Sequence, residues 1–353
     1  MIKKIRELID KDFKNKKMIK KLRLEFLDMR GLEFFDSFNE IINTIFRNGF
    51  KNGFGESDIK ILHSVPYGTF QWSERTLNMM DKNCRCGNCC LYCYINKIFH
   101  YYFENVEKCP NREEFIQNAN HLQQHRKSKV ARLIMTPSSH DIFPSMIENY
   151  IKMLKGYLQA GHDLLIVSKP RIACIKLLCS GLDLFKTQIR FRFTITANDD
   201  QKLTIWEPNA PLFAERVESL QHAFDQGFKT SVSMEPFLVS PIKYIDSLRK
   251  YVTNEFWIGM MNDKPNPDVL GRLLTDIETA DLKRIEDTEY SRDNVQSIVK
   301  TFIDDDKIYW KESIIKMFIR KDNRHSSLKK DEFNNMIRNQ VPKNLQRSLE
   351  SFI

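Results

Sequence analysis

Gly161-His-Asp-Leu-Leu-Ile-Val-Ser-Lys-Pro-Arg171 is the stretch on which the fold prediction rests. A helical pattern over residues 144–160 stops at Gly161, and glycine favours the left-handed backbone that ends many helices. Residues 164–167 are then an apolar run of strand length, and a second helical pattern begins at Arg171. A helix, a strand and a helix in this order indicate a repeated βα unit, which predicts a parallel sheet.

The same alternation continues from about residue 75 to residue 261. We predict six strands, at residues 76–80, 131–136, 163–168, 188–196, 229–235 and 255–260. Helices are predicted between them, at residues 95–107, 144–160, 171–180, 211–226 and 241–251. Six such units predict an α/β fold, a partial (β/α)6 barrel of the TIM type.

The segments on either side of this alternation are predicted to be extensions of the barrel. Residues 1–70 have apolar positions at helical spacing, among them Ile5 and Leu8, and are rich in basic side chains. Residues 263–353 are charged and mostly helical in pattern. We therefore predict three parts: a helical basic N-terminal extension (1–70), the barrel (71–262) and a mostly helical C-terminal extension (263–353).

The composition is that of an ordinary soluble protein, with 42% hydrophobic and 29% charged residues. Its apolar runs are too short to cross a bilayer, and the charged N-terminus lacks the apolar core of a secretory signal. We expect a cytoplasmic protein that does not contact membranes. Lys and Arg exceed Asp and Glu by 55 to 46, and residues 1–25 alone contain ten basic and four acidic side chains. Such a basic arm can bind nucleic acid, although solvated lysine-rich helices give the same count.

Five cysteines fall within ten residues, in Cys84-Arg-Cys86-Gly-Asn-Cys89-Cys90-Leu-Tyr-Cys93. A chain of this size does not need disulfides in a reducing compartment, so the crowding indicates a metal site. The cysteines would follow the first strand, at the end of a βα barrel where active sites are built. Zinc fingers separate their ligand pairs by many residues, whereas these pairs adjoin, so an iron–sulfur cluster is favoured over zinc. Three thiolates would leave one iron of a four-iron cluster open to another ligand.

Residues 86–94, Cys-Gly-Asn-Cys-Cys-Leu-Tyr-Cys-Tyr, resemble the signature loop of the radical S-adenosylmethionine (SAM) superfamily. The resemblance implies that Cys86, Cys90 and Cys93 bind a 4Fe–4S cluster whose open iron chelates S-adenosylmethionine. It also implies that Tyr92 lies beside the adenine, and that a flavodoxin or ferredoxin supplies single electrons. Reductive cleavage of the cofactor would yield a 5′-deoxyadenosyl radical that abstracts hydrogen from a substrate. Cys84 and Cys89 are surplus to the pattern, and a set of ligands that includes either one stays open.

Three further stretches are similar to the spore photoproduct lyase and DNA-repair-photolyase-like subgroup. They are Phe193-Thr-Ile-Thr196 with Trp206-Glu-Pro-Asn-Ala-Pro211, and Gly227-Phe-Lys-Thr-Ser-Val-Ser-Met-Glu-Pro236. The resemblance implies a set of cofactor-binding residues: Ser138, Ser139, Lys169, Thr194, Thr196 and Glu235. Each of these residues could also have an ordinary structural role instead of binding the cofactor, such as that of a solvated lysine at a strand end or a helix-capping serine.

The same resemblance implies a catalytic tyrosine at Tyr94, which would return hydrogen to the product. That lyase carries a cysteine hydrogen donor just after the second strand, where this chain has Ser138. A serine O–H bond is too strong for that role, so the lyase reaction itself does not follow. We predict a radical SAM enzyme acting on an unidentified substrate, with nucleic acid as a candidate. A non-catalytic or zinc-containing nucleic-acid-binding protein is the alternative.

Overall fold

A seven-stranded parallel sheet is the centre of the computed structural model, which describes residues 1–11, 15–66, 68–78, 86–96 and 132–319. The strands are β1 (Arg75–Thr76), β2 (Leu133–Thr136), β3 (Asp163–Ser168), β4 (Ile189–Thr194), β5 (Lys229–Met234), β6 (Phe256–Ile258) and β7 (Ile308–Trp310). Their order in the sheet is their order in the chain, and all neighbours are parallel. The carboxyl ends of all seven strands therefore lie on one side, where the connecting loops can form a common site.

The α/β class is confirmed, five of the six predicted strands agree with β2 to β6, and the sheet contains one strand more than predicted. The first predicted strand, 76–80, overlaps β1 at Thr76 alone: residues 77 and 78 are not part of a strand, and residues 79 and 80 lie outside the described residues. The additional strand, β7, comes from the segment predicted to be mostly helical and pairs with β6. Three residues between charged neighbours show no readable alternation, so the sequence pattern could not reveal this strand.

Helices connect the strands and flank the sheet. The α-helices are α1 (Ile2–Asp10), α2 (Asn15–Glu25), α3 (Gly31–Asn52), α4 (Glu56–His63), α5 (Ile147–Gln159), α6 (Ile172–Gly181), α7 (Asp200–Trp206), α8 (Phe213–Asp225), α9 (Ile245–Leu248), α10 (Pro267–Leu270), α11 (Asp276–Arg284), α12 (Arg292–Phe302) and α13 (Glu312–Ile319). Short 3-10 turns lie at Gly68–Gln71, Pro144–Met146, Asp183–Gln188, Pro241–Lys243 and Arg249–Tyr251, and a π-helical turn at Ile285–Glu289.

The predicted connecting helices agree with α5, α6 and α8. The helix predicted at 241–251 is divided into two 3-10 turns with α9 between them, and α7 was not predicted. Most of the helix predicted at 95–107 lies outside the described residues. No described helix is both long enough and apolar enough to cross a membrane.

Helix α3 covers the amino ends of several strands. Its Leu32 N–H donates to the Asp163 carboxylate at the start of β3 (3.1 Å), and its Asn43 side chain donates to the Ile308 carbonyl of β7 (2.7 Å). Asp36 on the same helix accepts two hydrogen bonds from Arg190 of β4, at 2.7 and 2.8 Å. The N-terminal segment thus supplies part of the barrel's core as well as surface helices.

The two edges of the sheet approach each other through the turn that precedes β1. The Gln71 side chain donates to the Trp310 carbonyl of β7 (3.2 Å), and the Gly68 N–H donates to Glu312 (3.1 Å). Lys311, directly after β7, donates to the Gly68 carbonyl (3.0 Å). These contacts indicate a sheet curved as in a barrel. The limits at residues 70 and 262 between the three predicted parts stay predictions.

Candidate active site

An open cavity of about 250 Å³ lies at the carboxyl ends of the strands. Every strand contributes to it, through its last residues or the loop that follows. All the predicted site residues line this cavity except Thr196; those that line it are Cys86, Cys90, Tyr92, Cys93, Tyr94, Ser138, Ser139, Lys169, Thr194 and Glu235. The residues carried by the loops of separate βα units therefore meet around one space.

The cysteine loop presents three thiols to the cavity. Cys90 is buried, while Cys86 and Cys93 are partly buried. Cys89 is exposed, lies outside the cavity lining and has a left-handed backbone with φ of 53°. Cys84 lies outside the described residues. Two tight turns shape the loop, since the Cys89 N–H donates to the Cys86 carbonyl (3.3 Å) and the Cys93 N–H to the Cys90 carbonyl (3.2 Å).

Burial raises the pKa of all three thiols. Burial raises the pKa of Cys86 to about 11, with the charge of Asp141 adding to the shift. Burial likewise raises the pKa of Cys90 and of Cys93. Charge on each of the other two thiols further raises the pKa of Cys90, so the three are close enough to interact. A bound cation would reverse this balance, because thiolates are the form that ligates metals.

No group of three or more His, Cys, Asp or Glu side chains in the described part of the chain is arranged to hold a single metal ion. A tetrahedral zinc site needs its ligands to converge on one point. The three thiols of an iron–sulfur site each bind a different iron, so they surround a volume instead of a point. The three cysteines that line the cavity are donors of the type that iron–sulfur clusters use.

Asn88 and Asp141 join the cysteine loop to the ends of β2 and β3. The Asn88 side chain donates to Asp141 (2.7 Å) and accepts from Arg171 (2.7 Å). Asp141 also accepts from the Lys169 N–H (2.9 Å) and from the Ser168 hydroxyl. The sequence shows polar residues at 138–141 but gives no sign that Asn88 binds them, because the two segments are far apart in the chain.

The Tyr92 hydroxyl is bound to a buried ion pair. The Tyr92 hydroxyl donates to Glu207, which also pairs with Arg216. Thr196 lies beneath the cavity lining, and its hydroxyl donates to the same carboxylate (2.9 Å). Burial would raise the pKa of Glu207, but Arg216, Lys169 and the Tyr92 hydroxyl outweigh it and hold the pKa below its ordinary value. Thr196 therefore contacts Glu207, the carboxylate that also binds the Tyr92 hydroxyl, while Thr194 lines the cavity.

Lys169 presents a cation to the cavity. Its Nζ lies 5.5 Å from the centroid of the Tyr92 ring, within the range of a cation–π contact. Among the described residues, Nζ forms no hydrogen bond or salt bridge, whereas the backbone N–H of Lys169 is bound to Asp141. Burial would lower the pKa of Lys169, but charge on Cys90, Glu207 and Asp141 raises it overall. The side chain is thus a fixed positive charge with hydrogen-bonding capacity to spare.

The loop after β2 supplies a buried hydroxyl. Asn78 accepts hydrogen bonds from the N–H groups of Ser138 (2.6 Å) and Ser139 (2.9 Å), which fixes the loop. The Tyr94 hydroxyl donates to the Ser138 carbonyl (2.5 Å). The Ser139 hydroxyl is buried and has no hydrogen-bond partner within the described residues. It is therefore available to a ligand in the cavity.

The β5–β7 side of the cavity holds a second charged group. The Lys311 ammonium lies 3.3 Å from Glu235 and 4.1 Å from the centroid of the Trp72 ring. Glu235 also accepts from the Asn262 side chain (3.2 Å). Burial raises the pKa of Glu235 to about 7, the charge of Glu312 adds to the rise, and Lys311 opposes it. Sequence reasoning missed Lys311 because it did not predict β7.

Comparison with known proteins gives structural similarities only. No protein-family model and no curated protein matches the chain. The chain is similar to solved structures of spore photoproduct lyase. A cysteine-to-serine mutant of that enzyme is 14% identical, covers 76% of this chain and 93% of its own, and has a TM-score of 0.46.

Two other solved forms of the lyase give similar values. A double mutant with bound AdoMet and dinucleoside spore photoproduct is 11% identical, covers 76% of this chain and 93% of its own, and has a TM-score of 0.41. A tyrosine-to-phenylalanine mutant is 13% identical, with coverages of 72% and 85% and a TM-score of 0.42. This is the enzyme whose subgroup the sequence resembles.

Proposed function

We propose that the chain is a radical SAM enzyme that binds a 4Fe–4S cluster and S-adenosylmethionine in the cavity at the carboxyl ends of the strands. The observation that carries the proposal is the common placement of three thiols, an ammonium that has no acceptor among the described residues, and a buried hydroxyl. Cys86, Cys90 and Cys93 line the same cavity as Lys169 and Ser139. A protein that only binds nucleic acid has no need of this combination.

The residues present fit both groups. The three thiols would hold the cluster, and Cys89, which is exposed and outside the lining, is the surplus cysteine. Lys169 would neutralise the carboxylate of the cofactor's methionine, since its Nζ has no acceptor among the described residues. Ser139 and Ser138 would bind the polar part of the methionine, and Tyr92 would contact the adenine. Thr194 also lines the cavity.

When bound, the cluster and the cofactor supply a one-electron reduction that generates a carbon radical able to take hydrogen from a substrate. The protein would position these partners. Tyr94 is the proposed catalytic residue, because its phenolic oxygen is held beside the cavity by the Ser138 carbonyl. Ser138 cannot replace the missing cysteine as hydrogen donor. Electrons would come from a flavodoxin or ferredoxin, and we propose a cytoplasmic location.

A nucleic-acid substrate is part of the proposal. One of the similar structures contains a dinucleoside spore photoproduct. The chain has a formal net charge of +9, with much of the excess near its N-terminus. Some of that charge is used internally: Lys4 pairs with Glu7 and Glu25, both at 3.1 Å, and the Arg23 guanidinium lies 3.6 Å from Glu74 with little exposure. Contacts with a polyanion would therefore depend on other exposed lysines, such as Lys3 and Lys20.

Anaerobic reconstitution tests the cluster directly. We expect about four iron and four sulfide per chain, and 5′-deoxyadenosine on addition of S-adenosylmethionine and dithionite. Cys90→Ala should lose the iron, whereas Cys89→Ala is the matched control and should keep it. A colourless protein with one zinc would establish the zinc-binding alternative. Full iron in Cys90→Ala would show that a different set of cysteines binds the cluster.

Lys169→Ala separates cofactor binding from cluster assembly. Because Lys169 is proposed to bind a carboxylate and not the cluster, iron content should stay at the wild-type level. The dissociation constant for S-adenosylmethionine, measured by equilibrium dialysis, should rise at least tenfold, as expected for loss of a charge-assisted hydrogen bond. An unchanged dissociation constant would remove Lys169 from the cofactor site.

A further inference from the structure

The β5–β7 side of the cavity contains polar groups to which the proposed function assigns no cofactor contact. One of them is Glu235, which the family resemblance alone implies as a cofactor-binding residue. Glu235 ends β5, Asn262 follows β6 and Lys311 follows β7, and all three line the cavity. They lie on different elements and are joined by hydrogen bonds and ion pairs. Such a group beside a radical-generating site is placed to contact the substrate.

Lys311 is held by the protein and is not free to bind a phosphate. Its side chain is 1% exposed, and the ammonium donates to the Gly68 carbonyl (3.0 Å). It pairs with Glu235 (3.3 Å) and Glu312 (3.6 Å) while resting on the Trp72 ring. The N–H groups of this cation are thus directed at protein acceptors. Its function is to fix the two carboxylates.

Glu235 keeps capacity to accept hydrogen bonds from a ligand. Each carboxylate oxygen has two lone pairs, and Glu235 receives one hydrogen bond from Asn262 and contacts Lys311. Its side chain is 14% exposed, and Asn262 beside it is exposed. With both carboxylates ionised, the set of Glu235, Glu312 and Lys311 has a net charge of −1. That charge favours N–H donors and repels phosphate.

The surrounding surface suits a flat, mostly apolar body. Met260, Met261 and Pro236 line the cavity next to Glu235, and Ile95 and Met135 line it elsewhere. Enzymes that act on bases hold them between apolar or aromatic side chains and read their edges by hydrogen bonds. A carboxylate accepts from an exocyclic amino group of a base. Thymine presents a carbonyl oxygen on either side of its single N–H, and those oxygens would face the carboxylate's charge.

We propose that Glu235, fixed by Lys311 and assisted by Asn262, is the residue that determines substrate specificity, and that it selects a nucleobase with an exocyclic amino group over thymine. This inference rests on the proposed function, because it takes the radical's target to be bound in the same cavity. The sugar–phosphate backbone would lie outside the cavity.

Calorimetric titration of the full-length, reconstituted protein with single nucleosides tests the preference. The probes are 2′-deoxycytidine, 2′-deoxyadenosine, 2′-deoxyguanosine and thymidine. We expect at least one amino-bearing nucleoside to bind tenfold or more tightly than thymidine, and Glu235→Gln to reduce that ratio to within threefold. The matched control is Glu218→Gln, an exposed glutamate on α8, which should leave the ratio unchanged. Equal binding of all four nucleosides, or a preference for thymidine, would overturn the inference.

Two further probes exclude other sources of the same chemistry. Methylguanidine presents N–H donors without a base, and inorganic phosphate presents only acceptors. Tighter binding of methylguanidine than of any nucleoside would mean that the site takes an arginine-like group, and competition by phosphate would contradict the charge argument. Asn262→Ala gives an independent check, because Asn262 is exposed and the substitution removes its hydrogen bond to Glu235. We expect it to weaken binding of the preferred nucleoside severalfold.

The pH dependence of binding provides a readout that a structural role would not produce. The charged and titratable groups that act on Glu235 are Lys311, Glu312 and the Tyr290 hydroxyl, with Asn262 as a hydrogen-bond donor. Since the pKa of Glu235 is raised to about 7, affinity for the amino-bearing nucleoside should increase about tenfold from pH 6 to pH 8. In Glu235→Gln the affinity should be flat over this range, and an unchanged slope would assign the titration to another group.

Iron content and 5′-deoxyadenosine formation without substrate are measured on the same samples. If the protein binds the cluster and cleaves the cofactor but binds all nucleosides equally, this inference is refuted and the proposed function stands. Discrimination that depends on Glu235 in a protein without iron would support a base-binding site and refute the radical function.

Discussion

Glu207 connects three elements behind the candidate active site through its carboxylate. It is 1% exposed and accepts from the Tyr92 hydroxyl, the Thr196 hydroxyl and Arg216, which is fully buried. These three donors come from the cysteine loop, the segment that follows β4, and α8. A buried pair is costly to break, because the remaining partner keeps its charge without compensation.

Glu207→Gln should therefore destabilise the protein strongly. Loss of the carboxylate leaves the Arg216 charge buried and unpaired, so we expect the free energy of unfolding to fall by about 3–5 kcal/mol, measured in urea. The control is Glu218→Gln, which removes an exposed ion pair with Lys176 (3.5 Å) and should cost less than about 1 kcal/mol. A loss of similar size in both variants would contradict the role assigned to Glu207.

The pKa of Glu207 also lets us predict how the free energy of unfolding depends on pH. In the folded protein the pKa of Glu207 lies below its ordinary value of 4.5. Its carboxylate therefore stabilises the fold fully above pH 4.5, and that contribution disappears as the pH falls through the lower, folded-state pKa. The difference in unfolding free energy between wild type and Glu207→Gln should shrink as the pH is lowered below 4.5. A constant difference from pH 7 to pH 3 would show that Glu207 does not titrate in this way.

Among the elements, the cysteine loop is held by neighbours more than by its own turns. Asn88 binds Asp141 and Arg171, the Leu91 N–H donates to the Trp206 carbonyl (3.0 Å), and Asn209 donates to the Gly87 carbonyl (3.0 Å). Gly87 lies against Phe143, whose ring an added Cβ would meet at 3.2 Å. The loop is thus positioned before any ligand arrives.

Asn88→Ala should loosen the loop and reduce cluster assembly. The substitution removes one of the donors to Asp141 and an acceptor of Arg171, so we expect a loss of about 1–3 kcal/mol in unfolding free energy. Iron content after reconstitution should fall below half of the wild-type value. Asn209→Ala, which removes one hydrogen bond from an exposed residue, should keep most of its iron. If Asn88→Ala binds as much iron as wild type, the cysteine loop does not need Asn88 to place the cluster ligands.

Elements with local sequence signals could be predicted, whereas short elements and contacts between distant parts of the chain could not. The long buried strands β3 and β4 were predicted to within two residues, because the apolar run of β3 after Gly161 and the alternation of apolar and polar residues in β4 are local signals. The cysteine loop was predicted to follow the first strand because spacing is local as well. β7 has three residues and no period, so Lys311 could not be placed at the site. Asn88 was missed because its partner is 53 residues away.

On the scale of the whole molecule, polar side chains run through the interior where an apolar core is usual in βα barrels. Below Lys311, the Trp72 ring also contacts Arg192, whose guanidinium carbon lies 4.6 Å from the ring centroid. Arg192 pairs with Glu255, which is also 3.4 Å from Arg190, and Arg190 pairs with Asp36 of α3. This chain of contacts connects the active-site end of the sheet to the helix that covers its other end.

That arrangement predicts that α3 is indispensable to the barrel. Gly31, at its first turn, lies so close to β2 that an added Cβ would be 2.4 Å from the Leu133 nitrogen, an atom of the backbone that cannot move aside. Gly31→Ala should therefore lower the free energy of unfolding by about 1–3 kcal/mol, although alanine favours helices. Gly55→Ala is the control: an added Cβ there meets only the Asp58 side chain, at 3.4 Å, and should cost less than about 1 kcal/mol. Urea unfolding followed by far-ultraviolet circular dichroism measures both. If Gly31→Ala is as stable as wild type, α3 does not pack on the strands, and the N-terminal helices would then be an appendage instead of part of the core.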